Sequence, residues 1–198
     1  MHHLAKHRLN LEKHSFASVL LEAGMIVFSI LLALGLESWI SGRHERLLTR
    51  EALHNIRVEM TRNREAVQAA VPRQEKLLAD LDAVIALEGR EVPGKPLSMG
   101  LMPPRLFRTA WETAIAIQTL AKADYGLVLL IAQPYESQRW MAMVEEKWLQ
   151  AILNPAAFDR NNRLRFLEIL KSVTGEYLAL EKRLIPEYDR AIERLGET

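Results

Sequence analysis

The stretch FASVLLEAGMIVFSILLALGLESWI, Phe16 to Ile40, constrains this chain more than any other part of it. Its unbroken apolar core is Ala23 to Leu36, with Ser29 as the one hydroxyl. As a helix, that core rises only about 21 Å, short of the ~30 Å hydrocarbon layer of a bilayer. Extending it back to Phe16 reaches about 31 Å but places Glu22 inside the span. Extending it forward to Ile40 gives about 27 Å, keeps Glu22 and Glu37 near the two headgroup layers, and makes Trp39 an interfacial anchor. The second placement is preferred. Ala33-Leu34-Gly35 offers a small-x-small cleavage site, but the apolar run and a helical pattern continue beyond it, so a retained signal anchor is expected rather than a cleaved leader. The segment is apolar all round, without the stripe of a buried helix in a soluble protein.

The flanks bear on orientation. The tail, residues 1–15, carries Lys6, Arg8 and Lys13 with four His, and the far side carries Arg43, Arg46, Arg50 and Arg57. The two positive counts are nearly equal. A short basic tail held in the cytoplasm with a long domain exported after it is ordinary signal-anchor behaviour. It places the span in a bacterial inner membrane with the domain in the periplasm.

Beyond the span, the pattern is helical throughout. From residue 41 to about 88, apolar residues fall at Leu53, Ile56, Met60, Val67, Ala70, Leu77, Leu81 and Val84, and the same frame puts Asn63 and Gln74 in the seam. Steps of three and four are a coiled-coil period. The seam serves either the chain's own bundle or a partner helix, and Asn63 and Gln74 are candidate register-fixing contacts. Pro72 is expected to kink or split this helix. Gly89 to Pro104, GREVPGKPLSMGLMPP, is rich in Pro and Gly and reads as a connector or contact loop. Three more helices are expected: Arg105 to about Lys122, with Phe107, Trp111, Ala114, Gln118 and Ala121 on one face; a helix capped by Asp124 that runs to Leu153, bent at Pro134 and lined by Trp140, Val144, Trp148 and Ile152; and one capped by Asp159 that carries Phe166, Leu170, Val173, Tyr177, Leu180 and Leu184, with a bend at Pro186. No strand-like alternation or internal repeat occurs. The fold class is all-α: a membrane helix running into a long helix, then an antiparallel bundle in which 105–198 completes the domain with 41–88.

Two stretches carry a resemblance. EAGMIVFSILLALGLESW, Glu22 to Trp39, followed by REALHNIRVEMTRN, Arg50 to Asn63, resembles a group of uncharacterised bacterial single-span membrane proteins. These have a Glu at the start of the span, a Trp at its exit and a charged helix beyond. TAWETAIAIQTL, Thr109 to Leu120, is similar to a Thr-Ala-Trp helix in the same group. The resemblance implies a membrane anchor and a helical domain, and it implies no activity.

Chemistry-bearing patterns are few. The chain has 198 residues with net charge +1; cysteine is absent, and all six His fall within the first 54 residues. Without Cys there is no thiolate catalysis, disulfide, iron–sulfur cluster or Cys-based zinc site. A di-iron bundle needs two Glu-x-x-His pairs, and only Glu51-Ala-Leu-His54 exists. His3 and His7 share a helical face, but the residues between them include no Glu to act as a zincin base. No His in the span argues against axial haem ligation, and no phosphate-binding loop or Ser-His-Asp set is present. Past residue 40 there are 23 basic and 22 acidic residues, which leaves no cationic footprint for nucleic acid. The expectation is a protein that is not an enzyme, with no cofactor, metal or small-molecule substrate.

One stripe remains. On a helix, Glu22, Ile26, Ser29, Ala33 and Glu37 lie on one side, and Ser29 with Ala33 form a small-x-x-x-small pair that admits a second helix. Glu22, Ser29, Ala33, Glu37 and Trp39 are the candidate membrane-interface residues; Asn63, Gln74 and Trp111 are the candidate partner contacts. The expected function is an accessory subunit docking on a larger membrane complex, energy-transducing ones included, with lipid and other membrane subunits as partners. The alternative is a signalling or proton-coupled transport component acting through the coiled coil and Glu22.

Overall fold

The computed structural model describes residues 3–87, 101–153 and 162–197, with side chains from Ser18 onward. The side chains of the N-terminal tail, most of the Gly89–Pro104 loop, and Asn154-Pro155 and Asp159 lie outside the described residues. The described fold is all-helical, with α1 His3–Ala86, α2 Thr109–Ala116, α3 Tyr125–Leu153 and α4 Arg163–Gly196. The chain forms two compact units, Met1–Leu48 and Thr49–Thr198.

In the first unit the helix has no core. Fourteen large apolar side chains between Val19 and Ile40 are 54–69% exposed. This is the one described helix long and apolar enough to cross a membrane, and none of its most apolar window is buried.

The second unit is a bundle built on the three-four seam of α1. Leu53, Ile56, Met60, Asn63, Val67, Ala70, Gln74, Leu77, Leu81 and Val84 are all buried. Ion pairs set the direction of α4 along α1: Arg64 with Asp189, Glu75 with Lys182 at 2.7 Å, and Asp82 with Lys171 at 2.5 Å. As the α1 residue number rises the α4 number falls, so the two helices are antiparallel. These pairs are solvated, so each contributes at most about 1 kcal/mol. Ser137 and Gln138 of α3 bond Glu187 and Tyr188 of α4, and Glu145 lies beside Tyr177. Thus α3 is antiparallel to α4 and parallel to α1.

The return path between α1 and α3 differs from the expected helix of Arg105 to Lys122. Leu101 to Arg108 is not helical, and α2 covers only Thr109–Ala116. Its course is fixed by buried amides of α1. The Gln74 amide donates to the Met102 carbonyl at 3.1 Å. Asn63 takes both backbone groups of Phe107, donating to its carbonyl at 2.7 Å and accepting its N–H at 2.8 Å. A backbone pair committed to a buried side chain has nothing left for an i−4 ladder.

At its other end, α2 stops in a Schellman motif. Gln118 N–H reaches the Ile115 carbonyl and Thr119 N–H the Ala114 carbonyl, each at 3.1 Å. This motif needs a left-handed residue, and Gln118 sits there with φ 56°. A Cβ in that conformation costs roughly 1–2 kcal/mol, part of which glycine returns as extra unfolded-state entropy. Gln118→Gly is therefore expected to raise the unfolding free energy by about 1 kcal/mol in denaturant titration. A loss of stability would show that Gln118 holds the turn through its side chain.

None of the three internal prolines splits its helix. Pro72, Pro134 and Pro186 all lie inside continuous helices. Pro72 and the Gln68 carbonyl it strips of a donor are both on the exposed side of α1, where water replaces the lost bond. The Asp124 cap is present: its carboxylate accepts Leu127 N–H at 2.8 Å.

Candidate functional site

Two groupings of side chains stand out, one in each unit. In the first, Glu22, Ser29, Ala33 and Glu37 are exposed along the span. Ser29 Oγ donates to its own helix, to the Met25 carbonyl at 2.7 Å. Its hydroxyl is thereby satisfied without a partner, and Ser29 with Ala33 presents a low surface for a second helix. Trp39 is 63% exposed, and the Arg43 guanidinium stands 6.0 Å from its ring centre, a cation–π arrangement.

In the second unit, the polar residues converge inside the bundle around Glu59. One of its carboxylate oxygens accepts the Tyr135 hydroxyl at 2.8 Å, and the other accepts Ala110 N–H at 2.9 Å. Trp111 N–H approaches the first oxygen at 3.5 Å. Ala110 and Trp111 open α2, so a carboxylate from α1 caps the orphan donors of a different helix and meets the positive end of its dipole. Trp111 then stacks on Tyr135, with ring centres 5.2 Å apart and planes 12° from parallel. Burial, reinforced by the bond to Glu59, pushes the Tyr135 phenol well above its ordinary range, so Tyr135 remains a donor.

Next to this lies Tyr188, wholly buried, with its hydroxyl bonded by the Gln138 amide. Burial raises its pKa too, while Gln138 and Asn63 pull the other way. Further along α4, Thr174, Tyr177 and Glu181 point inward. Neither Glu181 oxygen nor the Thr174 hydroxyl has a hydrogen-bond partner. The adjacent Gln74 has given its amide to Met102. Burial pushes the Glu181 carboxyl up to about 7, against the pull of Gln74 and Arg73.

The three candidate partner contacts are thus placed within the chain's own packing. Asn63 and Gln74 are buried and hold the return segment; Trp111 is half-buried against Tyr135 and the core. Trp140, expected on the inner face of α3, is 54% exposed, because the buried line runs through Leu127, Ile131, Tyr135, Gln138, Met141, Val144 and Trp148. In α4 Thr174 and Glu181 are fully buried, while Val173 and Leu180, expected in the seam, are half-buried and pack against the core. Sequence reasoning missed Glu59, Tyr135, Glu181 and Tyr188. For Glu181 and Tyr188 the signal was spacing: 174, 177, 181, 184, 188, 191 and 195 alternate steps of three and four without a break, provided polar residues are counted.

Chemically, the interior network is a set of structural bonds. Its carboxylates face tyrosines and backbone N–H groups rather than an open chamber. A surface depression of about 460 Å³ lies elsewhere, between Leu101, Pro103, Ala142, Glu145, Trp148 and Leu149. Among the described residues no group of three or more His, Asp or Glu is placed to hold a metal ion. No family model, curated protein or solved structure matches this chain.

Proposed function

We propose that the protein is a non-enzymatic, single-pass membrane protein whose bundle is an extramembrane domain, and that it acts as an accessory subunit on a larger membrane complex. The observation that carries this reading is the naked apolar surface from Val19 to Ile40. At about 1.5–3 kcal/mol per fully buried large apolar side chain, leaving that surface in water costs on the order of 20 kcal/mol or more. Lipid and neighbouring helices are the environments that remove the cost. The Glu22–Ser29–Ala33–Glu37 stripe supports a lateral helix contact. Location in a bacterial inner membrane with the bundle in the periplasm, and kinship with the single-span group sharing the Glu22–Trp39 and Thr109–Leu120 patterns, belong to the same proposal.

Signalling or proton coupling through a coiled coil finds less support. The α1 seam that would dimerise is filled by the chain's own bundle, which leaves Glu22 to carry that reading alone.

The test is purification from native membranes in mild detergent. The protein should be extracted only by detergent and should bring stoichiometric subunits with it. Ser29→Leu combined with Ala33→Leu should keep membrane insertion but lose at least nine-tenths of the co-purifying material. Recovery of the unaltered chain as a free monomer sinks the accessory-subunit reading. Loss of function in Glu22→Gln with assembly intact favours proton coupling.

A further inference from the structure

Gln74 stands between two buried acceptors and bonds only one of them. Its amide donates to the Met102 carbonyl at 3.1 Å. Among the described residues this is the one hydrogen bond that ties Leu101–Leu106 to the helices; the next tie is Asn63 on Phe107. The second acceptor is Glu181. The Glu75–Lys182 pair at 2.7 Å sets the register of α1 against α4, and it brings the inward neighbours of those two residues, Gln74 and Glu181, together in the seam. They are 1% and 0% exposed. Neither Glu181 oxygen has a hydrogen-bond partner, so the second N–H of the Gln74 amide does not serve it while the first holds Met102.

A buried carboxylate without donors is costly to ionise, so this arrangement belongs to the protonated acid. Ionisation reverses the ranking of the two acceptors. A hydrogen bond to a charged group is about twice as strong as a neutral one, and the amide must turn away from Met102 to make it. The charged and titratable groups around Glu181 are Arg73 from α1 and Tyr177 from α4, with Glu145 of α3 beyond Tyr177. Arg73 lies on the exposed side of its helix, and burial holds the Tyr177 phenol above its ordinary range, so it stays neutral. Burial also lifts the Glu181 carboxyl up to about 7, which puts the change near neutral pH.

We infer that Gln74 and Glu181 form a proton-operated latch on the return segment: with Glu181 protonated the Gln74 amide holds the Met102 carbonyl, and with Glu181 ionised the amide turns to the carboxylate and Leu101–Leu106 is released. Leu101 and Pro103 form one bank of the 460 Å³ depression, opposite Ala142, Glu145 and Leu149 of α3. Release reshapes that surface and uncovers Trp148, which is 8% exposed when the latch is closed. The bundle thus carries a face whose shape follows pH. The latch lies wholly within Thr49–Thr198 and works the same way wherever the bundle sits.

Hydrogen exchange of the full chain in mild detergent, read at Leu101, Met102, Arg105 and Leu106, tests the latch. Protection is taken relative to the intrinsic rate at each pH and referred to Ala110 and Trp111, whose N–H groups rest on Glu59. Between pH 5 and pH 8, on either side of the Glu181 transition, protection of the segment should fall about fivefold more than the reference, the worth of one ordinary hydrogen bond. Glu181→Met should hold the segment at its pH 5 level throughout, and Glu181→Gln takes its place if that variant does not fold. Gln74→Met should leave the segment poorly protected at both pH values. Protection in the parent that does not change with pH overturns the latch. A pH-dependent loss that survives in Glu181→Met assigns the titration to another group and overturns it. A loss that survives in Gln74→Met shows Glu181 acting without the amide, and overturns it as well.

Discussion

Glu59→Ala is expected to lower the unfolding free energy of the bundle by about 3–5 kcal/mol. The side chain is 9% exposed, and its two oxygens serve Tyr135 and the first N–H groups of α2. A hydrogen bond to a charged group contributes roughly 1.5–3 kcal/mol, and deleting the acceptor strands buried donors as well. The effects share one residue and do not add fully. Glu59→Gln preserves shape and one acceptor, so its cost should be about 1–2 kcal/mol. The measurement is denaturant unfolding of the full chain in mild detergent, followed by near-ultraviolet circular dichroism. The stacked Trp111–Tyr135 pair makes that signal local to the site. Hydrogen exchange at Ala110 and Trp111 should accelerate in parallel. A Glu59→Ala protein within 1 kcal/mol of the parent, with its aromatic signal intact, would show that α2 is held by apolar packing alone.

The same residue explains why part of the fold was legible in the sequence and part was not. The α1 seam was readable because its apolar side chains repeat with the helical period, and burial at Leu53, Ile56, Met60 and their successors follows from that repeat. The long apolar N-terminal helix was readable because a fully apolar run is written in composition alone. The return segment was not. Whether Arg105 to Arg108 becomes helix depends on Asn63 capturing the backbone of Phe107 across 44 positions, a tertiary event that local propensity does not record. The start of α2 likewise depends on Glu59, which lies 51 positions before Ala110. In α4 Val173 and Leu180 do pack against the core, half-buried, but the fully buried Thr174 and Glu181 beside them were passed over because they are polar. The structure keeps the period and accepts the polar side chains. Pro72 does not split α1: a missing N–H matters according to the surroundings of the freed carbonyl, and Pro72 and Gln68 both lie on the exposed side of the helix.

Glu181 carries the largest pH-dependent expectation. It is fully buried, its oxygens lack hydrogen bonds, and burial lifts its carboxyl from 4.5 to about 7. The groups beside it are Arg73 and Gln74 from α1 and Tyr177 from α4. A carboxyl whose folded-state pKa is raised binds its proton more tightly folded than unfolded. Its contribution to stability is complete below about 4.5 and is lost as pH rises to about 7, above which the deficit is constant. At 1.36 kcal/mol per pKa unit, the loss amounts to about 3 kcal/mol. Glu181→Met, of similar volume and without a charge to bury, should therefore exceed the parent in stability by about 3 kcal/mol more at pH 8 than at pH 4. Taking the difference between parent and variant at each pH removes the titration of every other group. If that difference is flat from pH 4 to 8, Glu181 is solvated in the folded chain and the buried polar seam of α4 opens to water.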